Sequence, residues 1–200
     1  MNYSSIKSYA KINLALNVIG KTSGLHQIES IVGFVSLHDV ILIKKIQSKK
    51  HIISFNGKYS KNIYKKNTIS KLLKVLEKER LLTGQKFEIK VKKYVPPKSG
   101  LGGGSMNAAN ILKYLIKKNF INLSKEQLSL VCKSIGADVA LGLNSTFTIL
   151  KSNNQIKEFK NCKKQTQTTK LRTPSHFFDP SSRKLRRIPG SQLSLFFCAC

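Results

Sequence analysis

Acidic residues are scarce in this sequence: nine Asp and Glu stand against 36 Lys and Arg, a formal net charge of +27 over 200 residues. With so few carboxylates, the candidates for a catalytic base are few. Trp is absent, and there are only two Met, four Cys and five Pro. Three of the four Cys fall in the last 39 residues, so there is no disulfide framework and a reducing compartment is implied. The Cys198–Cys200 pair has no matching second pair, which argues against a zinc site, and Cys132 lies in a helical pattern as a buried thiol. No apolar run reaches the 18 residues of a membrane span; the longest clean run, Val40-Ile41-Leu42-Ile43, is strand-sized. Lys11, Asn13 and Asn17 interrupt the amino-terminal apolar stretch, so no signal peptide is expected there. A cytoplasmic protein with no membrane partner is expected.

What is present suffices for a packed core, since 40% of the residues are hydrophobic. The charge alone suggests a polyanion partner, but 31 of the 36 cations are Lys, scattered without aromatic-basic clusters over residues 1–161. Lysines so distributed make a solvated surface, so no nucleic-acid partner is expected. Composition changes sharply near residue 162. Residues 162–200 hold four of the five Arg and three of the five Pro, and none of the 14 Asn. They also lack any sustained apolar period. We therefore divide the chain into a domain over 1–160 and a tail over 161–200 expected to be disordered.

Alternation over Ala10–Val18 predicts a half-buried strand with Lys11 and Asn13 on one polar face. Leu25–Val35 is its expected hairpin partner, and Val40–Ile46 and His51–Phe55 are two more strands. Ile69, Leu72, Leu73 and Leu76 have helical spacing over 67–82, with Gly84 closing the helix. A strand over Phe87–Val91 precedes a helix over Ala108–Lys118. Ser124 and Gln127 form a capping box for a helix that Gly136 ends, and Thr146–Leu150 is a last strand. The sum is a mixed α+β domain without regular βαβ alternation.

The most informative segment lies between a predicted strand and a predicted helix: Pro96, Pro97, Lys98, Ser99, Gly100, Leu101, Gly102, Gly103, Gly104, Ser105, Met106 and Asn107. Its glycines let backbone amides crowd against a ligand, and the following helix start, with Ser105 as its cap, adds partial positive charge. Together they make a phosphate cradle. It is neither a Walker A loop, for no Gly-Lys-Ser/Thr ends it, nor a dinucleotide fingerprint, for Ser105 stands where the third Gly belongs.

This segment resembles the phosphate loop of the GHMP small-molecule kinases. Ala10-Lys-Ile-Asn-Leu14 with Gly24-Leu-His26, and Ile135-Gly-Ala-Asp-Val139, resemble two further motifs of the branch serving non-mevalonate isoprenoid synthesis. Leu25, Met106 and Ala140 depart from that branch, where Tyr, Ser and Pro are usual. The resemblance covers residues 8 to about 160. It implies a GHMP kinase N-terminal domain (ribosomal protein S5 domain 2-like), normally followed by a ferredoxin-like domain that residues 162–200 do not resemble. The carboxy-terminal domain is thus expected to be missing, and the chain to be truncated or frame-disrupted.

The resemblance also implies the chemistry. ATP would be held at Pro96–Asn107, with Mg²⁺ bridging its phosphates and no dedicated protein metal ligand. Asp138 would be the base that takes the proton from the 2-hydroxyl of a small-molecule substrate, a cytidine-diphosphate-linked methylerythritol. Lys11 would sit beside it and stabilise the transferring phosphoryl group. Asn13 and His26 would contact substrate, His26 at the cytosine edge. Two other readings stay open at this point: a GHMP kinase for a different alcohol, and a basic RNA-binding module. Nothing in the sequence indicates an oligomeric state.

Overall fold

In a computed structural model of the chain, the described residues are 2–22, 25–61, 63, 66–144 and 148–150, with short strands at 156–158, 163–164, 177–179, 184–186 and 198–199. The side chains of residues 18–28 and of those after Thr148 lie outside this set.

Two long strands, β1 (Ser4–Thr22) and β2 (Leu25–Ile46), pair antiparallel from Ser4↔Ile43 to Thr22↔Leu25. The Leu25–Val35 and Val40–Ile46 segments are therefore one strand, not two. Ser36–Asp39 interrupt the apolar pattern without ending the strand, because Tyr9, Ser8 and Lys7 pair across to His38, Asp39 and Val40. Three register shifts, between Tyr9/Lys11, Asn13/Ala15 and Val18/Gly20, bend this ribbon. Next come β3 (Ile52–Asn56), α1 (Thr68–Lys78) and β4 (Lys86–Lys92). β3 and β4 are parallel, so α1 is a crossover helix, one βαβ unit in an otherwise antiparallel sheet. α2 (Gly103–Lys117), α3 (Lys125–Ile135), the short α4 (Val139–Leu143), β5 (Thr148–Leu150) and β6 (Ile156–Glu158) follow. The sheet order is β3-β4-β2-β5-β6, with β1 on β2. In the tail, β7 (Lys163–Lys164) pairs with β10 (Cys198–Ala199), and β8 (Phe177–Asp179) with β9 (Lys184–Arg186). The rest of the tail lies outside the described residues.

Local rules place the helix ends. Asn67 caps α1 by accepting from the amides of Ile69 and Ser70, and the Ser124–Gln127 box opens α3 as the sequence predicts. α1 stops earlier than its apolar spacing suggests, at Glu79. Arg80 and Thr83 adopt positive φ before Gly84, so the chain turns well ahead of that glycine. The core lies between the helices and one face of the sheet. Leu72 and Leu76 of α1, Ile111 and Leu112 of α2, and Ile41, Ile43 and Ile89 of the sheet are all fully buried. Cys132 belongs to the same core, and burial pushes its thiol up to about 11. No helix among the described residues is long and apolar enough to cross a membrane.

One core-edge contact makes stability depend on pH. The His51 ring stacks on Phe87 and accepts the Phe87 amide at Nδ1, 3.0 Å away, while Nε2 lies 3.2 Å from Glu77, which also pairs with Lys86. Burial, with Lys86 adding to it, lowers the imidazole below its usual range despite Glu77. A His whose folded pKa is depressed binds its proton more readily when unfolded. Its contribution is thus whole above about pH 6.5 and lost as pH falls through the folded value. The unfolding midpoint should fall as pH drops from 7 to 5, and His51→Gln should flatten that slope. An equally steep slope in the variant would exclude His51 as the cause.

Candidate active site

The glycine loop hangs between β4 and α2 and is tied to the sheet at several points. Beyond β4, the Lys93 amide donates to the Asn56 carbonyl (2.7 Å), and the Ser99 hydroxyl closes a turn onto the Pro96 carbonyl (2.8 Å). Lys98, Gly100 and Gly102 have positive φ. The Lys11 amide donates to the Leu101 carbonyl (3.0 Å), so β1 holds the loop by its free edge. α2 starts at Gly103, earlier than the apolar spacing suggests. Its N-cap is Gly102, which has φ 66° and offers no side-chain cap. Ser105 is thus a first-turn residue and not the cap, and the amides that open α2 are not consumed by a capping side chain. This end of a 15-residue helix suits an anion.

Close approach explains the glycines. A Cβ at Gly102 would lie 2.8 Å from Lys11 Cγ, one at Gly103 would lie 2.8 Å from Val95 Cγ1, and one at Gly104 would lie 3.0 Å from Thr68 Oγ1. The Thr68 hydroxyl donates to the Gly104 carbonyl (2.8 Å), bringing the start of α1 against the start of α2. Within the predicted loop, the Met106 and Asn107 side chains are turned into the protein interior. Met106 is fully buried with Val32 and Leu141, and Asn107 is 2% exposed, so their contribution to an anion site is through backbone and packing.

Asp138 comes to the same place by a different route. α4 packs tightly on α2, with an added Cβ at Gly142 falling 2.6 Å from the Ala109 Cβ. Asp138 stands at the N-cap position of α4, yet its side chain makes no capping bond. Instead Oδ2 faces Lys11 Nζ at 3.4 Å. Lys11 Nζ also donates to Asn13 Oδ1 (3.0 Å), which fulfils the expected common face of these two residues. Lys11 is not a solvated lysine, however. Its side chain is 8% exposed under the loop, whereas that of Asp138 is 37% exposed. The cation is buried and the carboxylate opens to solvent, which is the arrangement a proton acceptor needs.

Of the predicted site residues, the structure brings together Lys11, Asn13, Asp138 and the Gly102–Gly104 turn. Backbone register places His26 opposite Lys21 near the tip of the β1–β2 ribbon; its side chain lies outside the described set. The sequence reading missed Asp39, Lys93 and Thr68. Asp39 is the one acid that directly precedes the apolar run Val40–Ile43, a weak signal.

Residues 67–150 match the family described as "GHMP kinases N terminal domain". The 4-diphosphocytidyl-2-C-methyl-D-erythritol kinase of Pelagibacter ubique is 55% identical over 161 residues, which is 80% of this chain and 57% of that protein. The kinase of the same name from Caldicellulosiruptor bescii is 40% identical over 136 residues, 67% of this chain and 46% of that protein. Among solved structures, a 4-(cytidine 5'-diphospho)-2C-methyl-D-erythritol kinase superposes with a TM-score of 0.63 at 25% identity, covering 78% of this chain and 55% of that one. The homoserine kinase of Cytophaga hutchinsonii gives 0.51 at 25% identity, covering 81% and 53%. The chain spans about half the length of the curated relatives it matches. The phosphate-loop region of this chain, residues 67–150, is thus that of a GHMP kinase N-terminal domain.

Proposed function

We propose that the chain serves the ATP-dependent phosphorylation of the 2-hydroxyl of 4-diphosphocytidyl-2-C-methyl-D-erythritol, a cytoplasmic step of non-mevalonate isoprenoid synthesis. One observation carries the chemistry: the buried Lys11 ammonium pairs with the solvent-facing Asp138 carboxylate at 3.4 Å, directly against Gly102 of the loop. The choice of acceptor rests on the relative's 55% identity and its name.

Phosphorylating an alcohol requires a held phosphate chain, somewhere for the hydroxyl proton to go, and compensation for the charge that develops. ATP, when bound, supplies the γ-phosphoryl group. The cradle suits its phosphates, since the Gly102 cap leaves the amides that open α2 without a capping side chain, and a side chain at Gly102–Gly104 would collide with Lys11, Val95 and Thr68 beneath the turn. Asp138 accepts the hydroxyl proton as the oxygen–phosphorus bond forms, and ADP leaves as the β–γ bridge breaks. Lys11 stays fixed by Asn13 and faces the growing negative charge. Among the described residues no three His, Cys, Asp or Glu side chains group together as a metal cage. On this reading Mg²⁺ is brought by the nucleotide, and no step depends on a protein ligand to it. Met106, Asn107 and the Pro96–Ser99 turn shape the cradle, while Asn13 and His26 are assigned to the acceptor.

ADP release measured with the cytidine-linked methylerythritol, homoserine and mevalonate in turn should rise above background with the first alone. Release driven equally by homoserine or mevalonate would overturn the substrate assignment, and failure of the chain to bind ATP in calorimetry would overturn the kinase reading.

A further inference from the structure

Asp39 is the most buried acid described, 0% exposed, and the reaction above makes no use of it. Its carboxylate takes four donors. Oδ1 accepts the amides of Tyr94 (2.8 Å) and Val95 (2.9 Å), and Oδ2 accepts the Lys93 ammonium and Asn107 Nδ2 (2.8 Å). These donors come from the two ends of the glycine loop. Lys93, Tyr94 and Val95 lead into it, while Asn107 lies one turn inside α2. Lys93 and Val95 also touch the loop's first helical residue: a Cβ on Gly103 would meet Val95 Cγ1 at 2.8 Å and Lys93 Nζ at 3.3 Å.

We propose that Asp39 is a positioning residue that staples both ends of the phosphate loop to the rigid strand β2 and so fixes where the amides that open α2 point. Three features support a dedicated clamp over generic core polarity. Only an ionised carboxylate can accept from four donors at once, and the buried Lys93 ammonium balances its charge. A loop whose two ends share one anchor has little freedom left in between, which is the preorganisation an anion cradle requires. Finally, Asn107 is turned with its amide nitrogen toward Asp39 even though this leaves Oδ1 buried without a hydrogen bond among the described residues. An orphaned acceptor is costly, so the bond to the carboxylate dominates the orientation.

Asp39→Asn places an NH₂ group against existing donors and breaks the staple. Asn107→Ala cuts only the α2 end and leaves the Asp39–Lys93 pair intact, so it tests the proposal even if Asp39→Asn does not fold. Hydrogen exchange on the full chain should show the amides of Gly103, Gly104 and Ser105 exchanging at least about tenfold faster in Asn107→Ala, with core amides of β2 and β4 unchanged. A purely structural role would speed loop and core amides together. That outcome, or loop amides exchanging at the wild-type rate, would overturn the proposal. A second arm rests on the kinase reading: ATP affinity of Asn107→Ala should fall about tenfold or more. Undiminished affinity would overturn the functional role of the staple. A wild-type chain that fails to bind ATP would overturn the kinase reading instead, and the exchange measurement would still decide the staple.

Discussion

Asp138→Asn should lower turnover by about 100- to 10,000-fold, the range typical for loss of a positioned general base, with ATP affinity nearly unchanged. The amide is isosteric, so the α4 N-cap position and the packing of Gly142 on α2 survive. Only proton acceptance is lost, along with the charge partner of Lys11. Affinity is spared because the loop is tied through the Lys11 backbone and not through Asp138. The measurement is single-turnover phosphorylation of the cytidine-linked alcohol beside calorimetric ATP binding. Turnover within threefold of wild type would remove Asp138 from the role of base. A parallel collapse of ATP affinity would make it part of the nucleotide site instead.

The second large effect belongs to Gly102→Val, which should abolish measurable ATP binding. Two costs coincide at this residue. Its φ of 66° lies in the left-handed region, where a β-branched side chain is strongly disfavoured. The new Cβ would also fall 2.8 Å from Lys11 Cγ, so the lysine stem or the loop must move. Either movement spoils the site, because Lys11 and the first amides of α2 share that contact. Gly84→Ala provides the control, for Gly84 also has positive φ but an added Cβ meets nothing within 4 Å. It should cost some stability and leave ATP binding intact. Retained affinity in Gly102→Val, with the far-ultraviolet spectrum unchanged, would show that the loop tolerates a side chain and does not approach phosphate through its backbone.

Features governed by neighbours in sequence were legible without the fold. The Asn67 and Ser124 helix starts, the alternation around Lys11 and Asn13, the glycine loop between a strand and a helix, and the placement of Asp138 after Gly136 all follow from rules spanning a few residues. Ser105 is a good capping residue by type, but the actual cap is Gly102, whose φ of 66° and place against the Lys11 stem exclude a side chain. β2 was split because Ser36–Asp39 look like a break; pairing with β1 carries the strand through them. The family resemblance implied that Lys11 lies beside Asp138; tertiary structure alone decided that Lys11 is buried there and that Asp39 joins the two ends of the loop. Charge pairs and shared anchors depend on which distant segments the sheet brings within about 3 Å of one another. On β1 the pattern does not settle even which residues are buried: Lys11 is 6% exposed while Leu14 and Leu16 are 42% and 54% exposed, because burial depends on what packs against the ribbon.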